Sequence, residues 1–185
     1  MSLAAPAAAR PLLPILVALS CTHLLNDLIQ SMIPAMYPLF KESYALSFAQ
    51  IGLITLAFQV TSSLLQPLFG FVTDHKPWPY AMVLGMGATL TGLLLMAFAH
   101  SYPVILLAAA LVGLGSAVFH PEATRMARHA AAGQQGLAQG IFQIGGHAGY
   151  AIGPLLAASV VVPNGQTSLS YVSVVALTAM VLMAW

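Results

Sequence analysis

The stretch GLGSAVFHPEATRMAR, Gly113 to Arg128, decides how this chain is read. From Tyr102 to Phe119 nearly every residue is apolar or small, and then His120, Pro121, Glu122, Arg125 and Arg128 arrive together. A long apolar run that ends in a proline and a cluster of charges is a membrane helix reaching an interface. Composition agrees: hydrophobic residues make up 59% and charged residues 5% of the 185, with a mean hydropathy of +0.90. Soluble domains carry about a quarter charged residues. At about 20 apolar residues per crossing, the length suits about six helices with short connections. A net charge of +1 from scattered basic residues offers no phosphate-binding patch, which excludes a nucleic-acid partner. Cys21 is the single cysteine and has no disulfide partner in the chain. The preceding Ala18-Leu19-Ser20 faintly resembles a lipoprotein cleavage site, but the run continues through Leu24, Leu25, Leu28 and Ile29, too long for a cleaved signal.

Outward from that stretch, six helices are expected over Pro11 to Phe40, Ser47 to Thr73, Tyr80 to Ala99, Pro103 to Arg128, Gly136 to Val162 and Ser168 to Trp185. Residues 1–10 read as a loose Ala/Pro-rich cytoplasmic tail and 11–185 as one transmembrane bundle. The connections include the turn formers Pro163-Asn164-Gly165. With the N-terminus cytoplasmic, the inner loops carry Arg10, Lys76, Arg125 and Arg128 and the outer loops only Lys41, which satisfies the positive-inside rule.

Helix 1 places His23, Asn26, Asp27 and Gln30 at i, i+3, i+4 and i+7, one face of a helix. A carboxylate at mid-bilayer costs about 2.5–3.5 kcal/mol on insertion scales, so this face belongs in a bundle interior or a wet cavity. Pro34 and Pro38 should bend its outer end. Helix 2 has Gln59, Ser62, Ser63 and Gln66 near one face, then Pro67 and Gly70. Helix 3 has no charge and reads as a supporting helix facing lipid. In helix 4, Gly113, Gly115 and Ser116 suit tight crossing. Pro121 should bend or break the helix at His120, and Glu122 should fall near the inner surface, where Arg125 at i+3 can neutralise it. Helix 5 carries a polar stripe, Gln139, Gln143, His147 and Tyr150, expected to face inward, and a glycine seam, Gly145, Gly149 and Gly153 before Pro154, for a close partner helix. Helix 6 is plain and apolar. Charged, then polar or glycine-rich, then plain, twice over, is a three-plus-three repeat of helix character.

This repeat and its motifs resemble one half of a major facilitator superfamily transporter, an all-α integral membrane fold. Gly70-Phe-Val-Thr-Asp74-His-Lys76 is similar to the front of that superfamily's loop signature, with Pro77-Trp78-Pro79 where a further glycine and arginines usually stand. Gly149-Tyr-Ala-Ile-Gly153-Pro154 is similar to the glycine-proline signature of its drug/proton antiporters, without the usual following glycine. HLLNDLIQS at 23–31, FAQIGLITLAFQVTSSLLQP at 48–67, VFHPEATRMA at 118–127 and GLAQGIFQIGG at 136–146 extend the resemblance to bacterial inner-membrane drug-efflux members over most of the chain.

The resemblance implies twelve helices, alternating access, proton-driven antiport of small, often anionic or amphipathic compounds, and no cofactor beyond the proton gradient. It implies either a missing C-terminal six-helix half or a pairing of two copies; the former is expected. For proton coupling, Asp27 is the leading candidate, with His23 and His147 as relays, because a buried carboxylate or an imidazole can titrate in the working range. Asn26, Gln30, Gln59, Gln139, Gln143 and Tyr150 are candidates to line the substrate cavity. Gly70, Asp74, Lys76, His120, Glu122, Arg125 and Arg128 are candidates for an inner gate.

Two rivals stand beside this reading. Six histidines with Asp27 and Glu122 are compatible with a divalent metal cargo, although no two-histidine spacing matches a local site. An intramembrane enzyme or scaffold is disfavoured: the chain has no paired membrane aspartates, no nucleophilic serine elbow and no HExxH.

Overall fold

A computed structural model describes residues 10–76 and 78–184. The tail at 1–9, Pro77 and Trp185 lie outside the described residues, and so does most of the expected cytoplasmic tail. The described residues form helices throughout: α1 (Leu13–Ala35), α2 (Tyr37–Ser43), α3 (Phe48–Gln59), α4 (Gln66–His75), α5 (Ala81–Ala97), α6 (Tyr102–Ala130), α7 (Gln135–Leu156), α8 (Val162–Asn164) and α9 (Ser173–Ala184). A π-helical turn at Val60–Leu64 joins α3 to α4, another at Ala157–Val161 joins α7 to α8, and a 3-10 stretch at Gln166–Val172 leads into α9. Five helical stretches are long and apolar enough to cross a membrane: Leu13–Ala35, Phe48–His75, Tyr102–Ala130, Gln135–Asn164 and Gln166–Ala184. The expected third helix, Ala81–Ala97, is shorter at 17 residues, which is the lower limit for a span.

Local chemistry explains most boundaries. Ser47 accepts from the Gln50 backbone N–H at 3.2 Å while the Gln50 side chain accepts from the Ser47 N–H at 2.8 Å, a capping box that starts α3. The first expected helix is divided at Met36: Pro34 lies inside α1 and Pro38 opens α2, where a proline's missing N–H costs nothing. Pro121, in contrast, neither breaks nor ends α6, which runs unbroken to Ala130. Its ring removes the donor for the Ala117 carbonyl, and one residue earlier the His120 ring Nδ1 lies 3.0 Å from the Ser116 carbonyl. Turn chemistry holds at Gly165, where φ is +80°.

Packing is organised by close backbone approach. The most extensive pairing is α1 with α7, along the glycine seam: a Cβ at Gly145, Gly149 or Gly153 would run into the carbonyl of Ser20, Leu24 or Leu28, respectively. The next is α5 with α6. There Gly92 lies against the Ala108 carbonyl and Val112, and Gly115 lies against Gly85 and Thr89. This corrects the expectation for α5: it is no plain lipid-facing helix, because Gly85, Met86, Thr89, Gly92, Leu93 and Met96 form a buried face. Gly113 of α6 meets the carbonyl of Phe58 and the Thr61 hydroxyl, so α6 seats into the π turn of the second crossing.

Two apolar clusters result. One gathers Leu28, Ile29, Met32, Phe40, Ile54, Met86 and Ile105 among others; the second gathers Leu16, Leu19, Met82, Phe119, Ala123 and Phe142. Between them on α1 and α6 runs a buried polar band: Thr22, His23, Asn26, Asp27, Gln30, Ser31 and Ser116. The outside is apolar too, with Val17, Leu56, Leu64, Phe71, Leu107, Ile144, Leu155, Val174 and Val181 exposed. Large aliphatic side chains on both faces of the same helices are what a lipid solvent permits and water does not.

Candidate functional site

Asp27 is the centre of the buried polar band. Because α1 turns by 3.6 residues, His23, Asn26 and Gln30 fall beside it. The Asn26 side-chain amide donates to Asp27 Oδ1 at 2.9 Å and that of Gln30 at 3.3 Å. His23 Nε2 lies 3.2 Å from Oδ2, and His120 Nε2, from α6, lies 3.5 Å from Oδ1. Ser116, one turn before His120, donates to Gln30 Oε1 at 3.1 Å and so ties the two helices together. His23 stacks on Phe142, ring centroids 4.0 Å apart, and meets His120 edge-on at 5.3 Å. Gly146 of α7 is the back wall: a Cβ there would stand 2.6 Å from His23 Nε2 and 2.9 Å from Asp27 Oδ2.

The hydrogen bonds fix the tautomers. His23 Nδ1 lies 2.9 Å from the Phe142 carbonyl and His120 Nδ1 3.0 Å from the Ser116 carbonyl; a carbonyl only accepts, so each Nδ1 carries hydrogen. In the neutral form each Nε2 then presents a lone pair. Two lone pairs facing one carboxylate repel, and a proton placed among His23, Asp27 and His120 would relieve that repulsion. The arrangement is a buried carboxylate flanked by two imidazoles, a set of groups able to hold a proton.

His120 also lines an open cavity of about 700 Å³ bounded by α4, α6 and α7. Gln66, Gly70, Asp74, Arg125, Arg128, Gln139 and Gln143 line it as well, so its walls are amide-rich and carry two guanidinium groups. At one edge Glu122, buried, pairs with Arg125, and Arg125 Nη1 also donates to the Thr73 carbonyl. Arg125 lies 3.7 Å from the exposed Asp74 carboxylate. One arginine thus ties α6 to the end of α4.

Several expected placements change. His120 joins Asp27 instead of the gate cluster. Glu122 is buried among the helices, and Arg125 at i+3 pairs with it as the spacing predicts. Asn26 and Gln30 hold the carboxylate and do not line the cavity, whereas Gln139 and Gln143 do line it. Gln59, His147 and Tyr150 are exposed and outside the cavity. The stripe of α7 therefore faces away from the packed interior, because its glycine face has taken the seat against α1. His147 makes no ion pair with Asp27 among the described residues. Lys76 is exposed beside Val72, Thr73 and Trp78. Ser116 and Gly146 are site residues that the spacing of polar groups on α1 does not reveal, although Ser116 stands four residues before His120, the signal for a shared helix face.

Helical stretches with apolar exteriors around a buried ionisable band define a multi-pass membrane protein. Residues 19–185 match the Major Facilitator Superfamily, and the chain belongs to that family of transporters. It is 53% identical to the fosmidomycin resistance protein of Escherichia coli (strain K12) over 95% of this chain and 43% of that protein. It is 42% identical to the uncharacterized MFS-type transporter YfnC of Bacillus subtilis (strain 168), over 93% of this chain and 42% of that protein. It is 30% identical to the nitrite extrusion protein of the same organism, over 78% and 37%. The chain thus spans about two fifths of the length of these curated relatives.

Proposed function

We propose that this chain supplies the N-terminal six-helix portion of a proton-coupled efflux transporter of the bacterial inner membrane, with its N-terminus cytoplasmic. The observation that carries the reading is the triad of His23, Asp27 and His120: a buried carboxylate between two imidazoles, a set of groups suited to holding a proton, connected to an open cavity through His120. Loading and unloading that proton changes the charge at the head of the cavity. This is the physical requirement for coupling proton flow to cargo.

The cargo is a small anionic or amphipathic compound of the drug type. Arg125 is engaged by Glu122 and Asp74, but Arg128 lines the cavity without an ion pair among the described residues and can meet an anion, while Gln139 and Gln143 offer neutral donors and acceptors. One relative is named for resistance to fosmidomycin and another for extrusion of nitrite, a small anion. A second six-helix unit, in the same polypeptide, completes the cavity wall that this portion leaves open, and the exposed stripe of Gln143, His147 and Tyr150 faces it. Basic residues at Arg10, Lys76, Arg125 and Arg128 against Lys41 support the cytoplasmic N-terminus.

The test is drug efflux from everted vesicles carrying the whole transporter with and without Asp27→Asn. The amide is isosteric and keeps the donors Asn26 and Gln30 within reach, so the variant should fold and lose efflux driven by a pH gradient. Undiminished pH-driven efflux by folded Asp27→Asn protein sinks the reading.

A further inference from the structure

The same three side chains have the composition of a transition-metal site. We propose that His23, Asp27 and His120 bind one first-row divalent metal ion, of the Zn2+ or Co2+ class, in the place of their shared proton.

Three observations carry this. The ligand set is two imidazole nitrogens and one carboxylate, all within 4.8 Å of one another, which suits borderline metals such as Zn2+ and Co2+ and not Mg2+ or Ca2+, whose sites are built from oxygen. The two nitrogen-to-carboxylate separations fit: metal bonds of about 2.0–2.1 Å in a tetrahedron set ligands about 3.3 Å apart. The observed separations from the two Nε2 atoms to the carboxylate, 3.2 and 3.5 Å, bracket that edge. Because the two rings address different oxygens, the carboxylate would bind through both or turn slightly about its Cβ–Cγ bond.

The outer shell is already in place. Both Nδ1–H groups are committed to backbone carbonyls, of Phe142 and Ser116, the arrangement that fixes an imidazole with Nε2 bare for a metal. Asn26 and Gln30 orient the carboxylate from the side. The three ligands come from α1 and α6, which is why no spacing along the chain announces them. An entry path exists, since the His120 side chain is 26% exposed and lines the cavity. The open coordination position faces that side, because Gly146 closes the other.

This inference rests on the ligand geometry and does not depend on the efflux reading; equilibrium binding without a gradient tests it separately. Tag-free whole transporter in detergent is titrated with Co2+, followed by its visible d–d absorption, and with Zn2+ by calorimetry. One ion per chain with a tetrahedral or five-coordinate Co2+ spectrum is expected, with no response to Mg2+. His120→Ala should weaken binding at least about tenfold, and Asp27→Asn likewise, while His129→Ala, at an exposed position away from the triad, leaves it unchanged. His120 is partly exposed, so its alanine variant should remain folded and monodisperse. The proposal is overturned by no binding to folded wild-type protein, or by binding that persists in folded His120→Ala and Asp27→Asn.

Discussion

Alanine at Gly149 and alanine at Gly140 are the same chemical change on the same helix, α7, and should act in opposite directions. At Gly140 nothing lies within 4 Å of the added methyl. The only effect is the better helix propensity of alanine, worth about 0.5–1 kcal/mol in its favour. At Gly149 the methyl would stand 2.9 Å from the Leu28 nitrogen and closer still to the Leu24 carbonyl oxygen. An ordinary carbon contact is about 3.5–4.0 Å, so α1 and α7 must part by about 1 Å, which forfeits a quarter to a half of the dispersion energy at each separated contact. Overpacking of this kind costs about 1–3 kcal/mol, and the obstacle is backbone, with no rotamer to yield. The shift in Tm per kcal/mol shrinks as the chain lengthens, so in the whole transporter a fall of a few °C is expected. Thermal unfolding of the detergent-solubilised transporter, read by intrinsic fluorescence, measures both variants side by side. If Gly149→Ala melts at or above Gly140→Ala, the close approach of α1 to α7 described here is wrong.

Other expectations follow from the charge cluster and from the Tyr44 hydroxyl, which caps the end of α5 by donating to the Ala99 carbonyl. Arg125→Ala leaves the buried Glu122 without its partner and should destabilise by about 3–5 kcal/mol, partly relieved by adding Glu122→Gln; a double-mutant cycle in thermal stability would read the coupling, and additivity would refute the pair. Tyr44→Phe removes bonds from the tyrosine hydroxyl to the Ala99 carbonyl at 2.6 Å and to Gln166 at 2.8 Å. It should cost about 1 kcal/mol and speed hydrogen exchange around Ala99, and unchanged exchange there would show that the cap holds without it.

Much of the site was legible because the helical spacing of polar residues is strong evidence on an apolar background of this kind. In α1, His23, Asn26, Asp27 and Gln30 stand out against leucine and isoleucine, and period 3.6 puts them on one face. The glycine seam of α7 was legible for the same reason, and α1 proved to be its partner. What a single chain cannot reveal is which helices meet. His120 reads as a gate residue beside Glu122 and Arg125, yet the α1 to α6 crossing turns it towards Asp27. The buried face of α5 was hidden for a different reason: in lipid the inside and the outside of a bundle are both apolar, so Gly85, Met86, Thr89 and Gly92 carry no hydropathy contrast. The continuity of α6 through Pro121 was hidden because a proline inside an apolar helix can be spanned as well as break it, and no local signal tells the two apart.

The contact of Gly146 with the triad has a mechanical side. The backbone of α7 rests directly on the His23 ring and the Asp27 carboxylate, with no side chain between to act as a cushion. Along the rest of its length α7 is fastened to α1 by Gly145, Gly149 and Gly153. Any change in the separation of ring and carboxylate, whether a proton arrives or leaves, therefore meets a rigid rod hinged along one edge. Such a change cannot be absorbed by repacking a side chain of α7 at that point; it has to be met by the ring, the carboxylate or the helix backbone itself. The glycine in this sense removes the compliance that a side chain would place between the two helices.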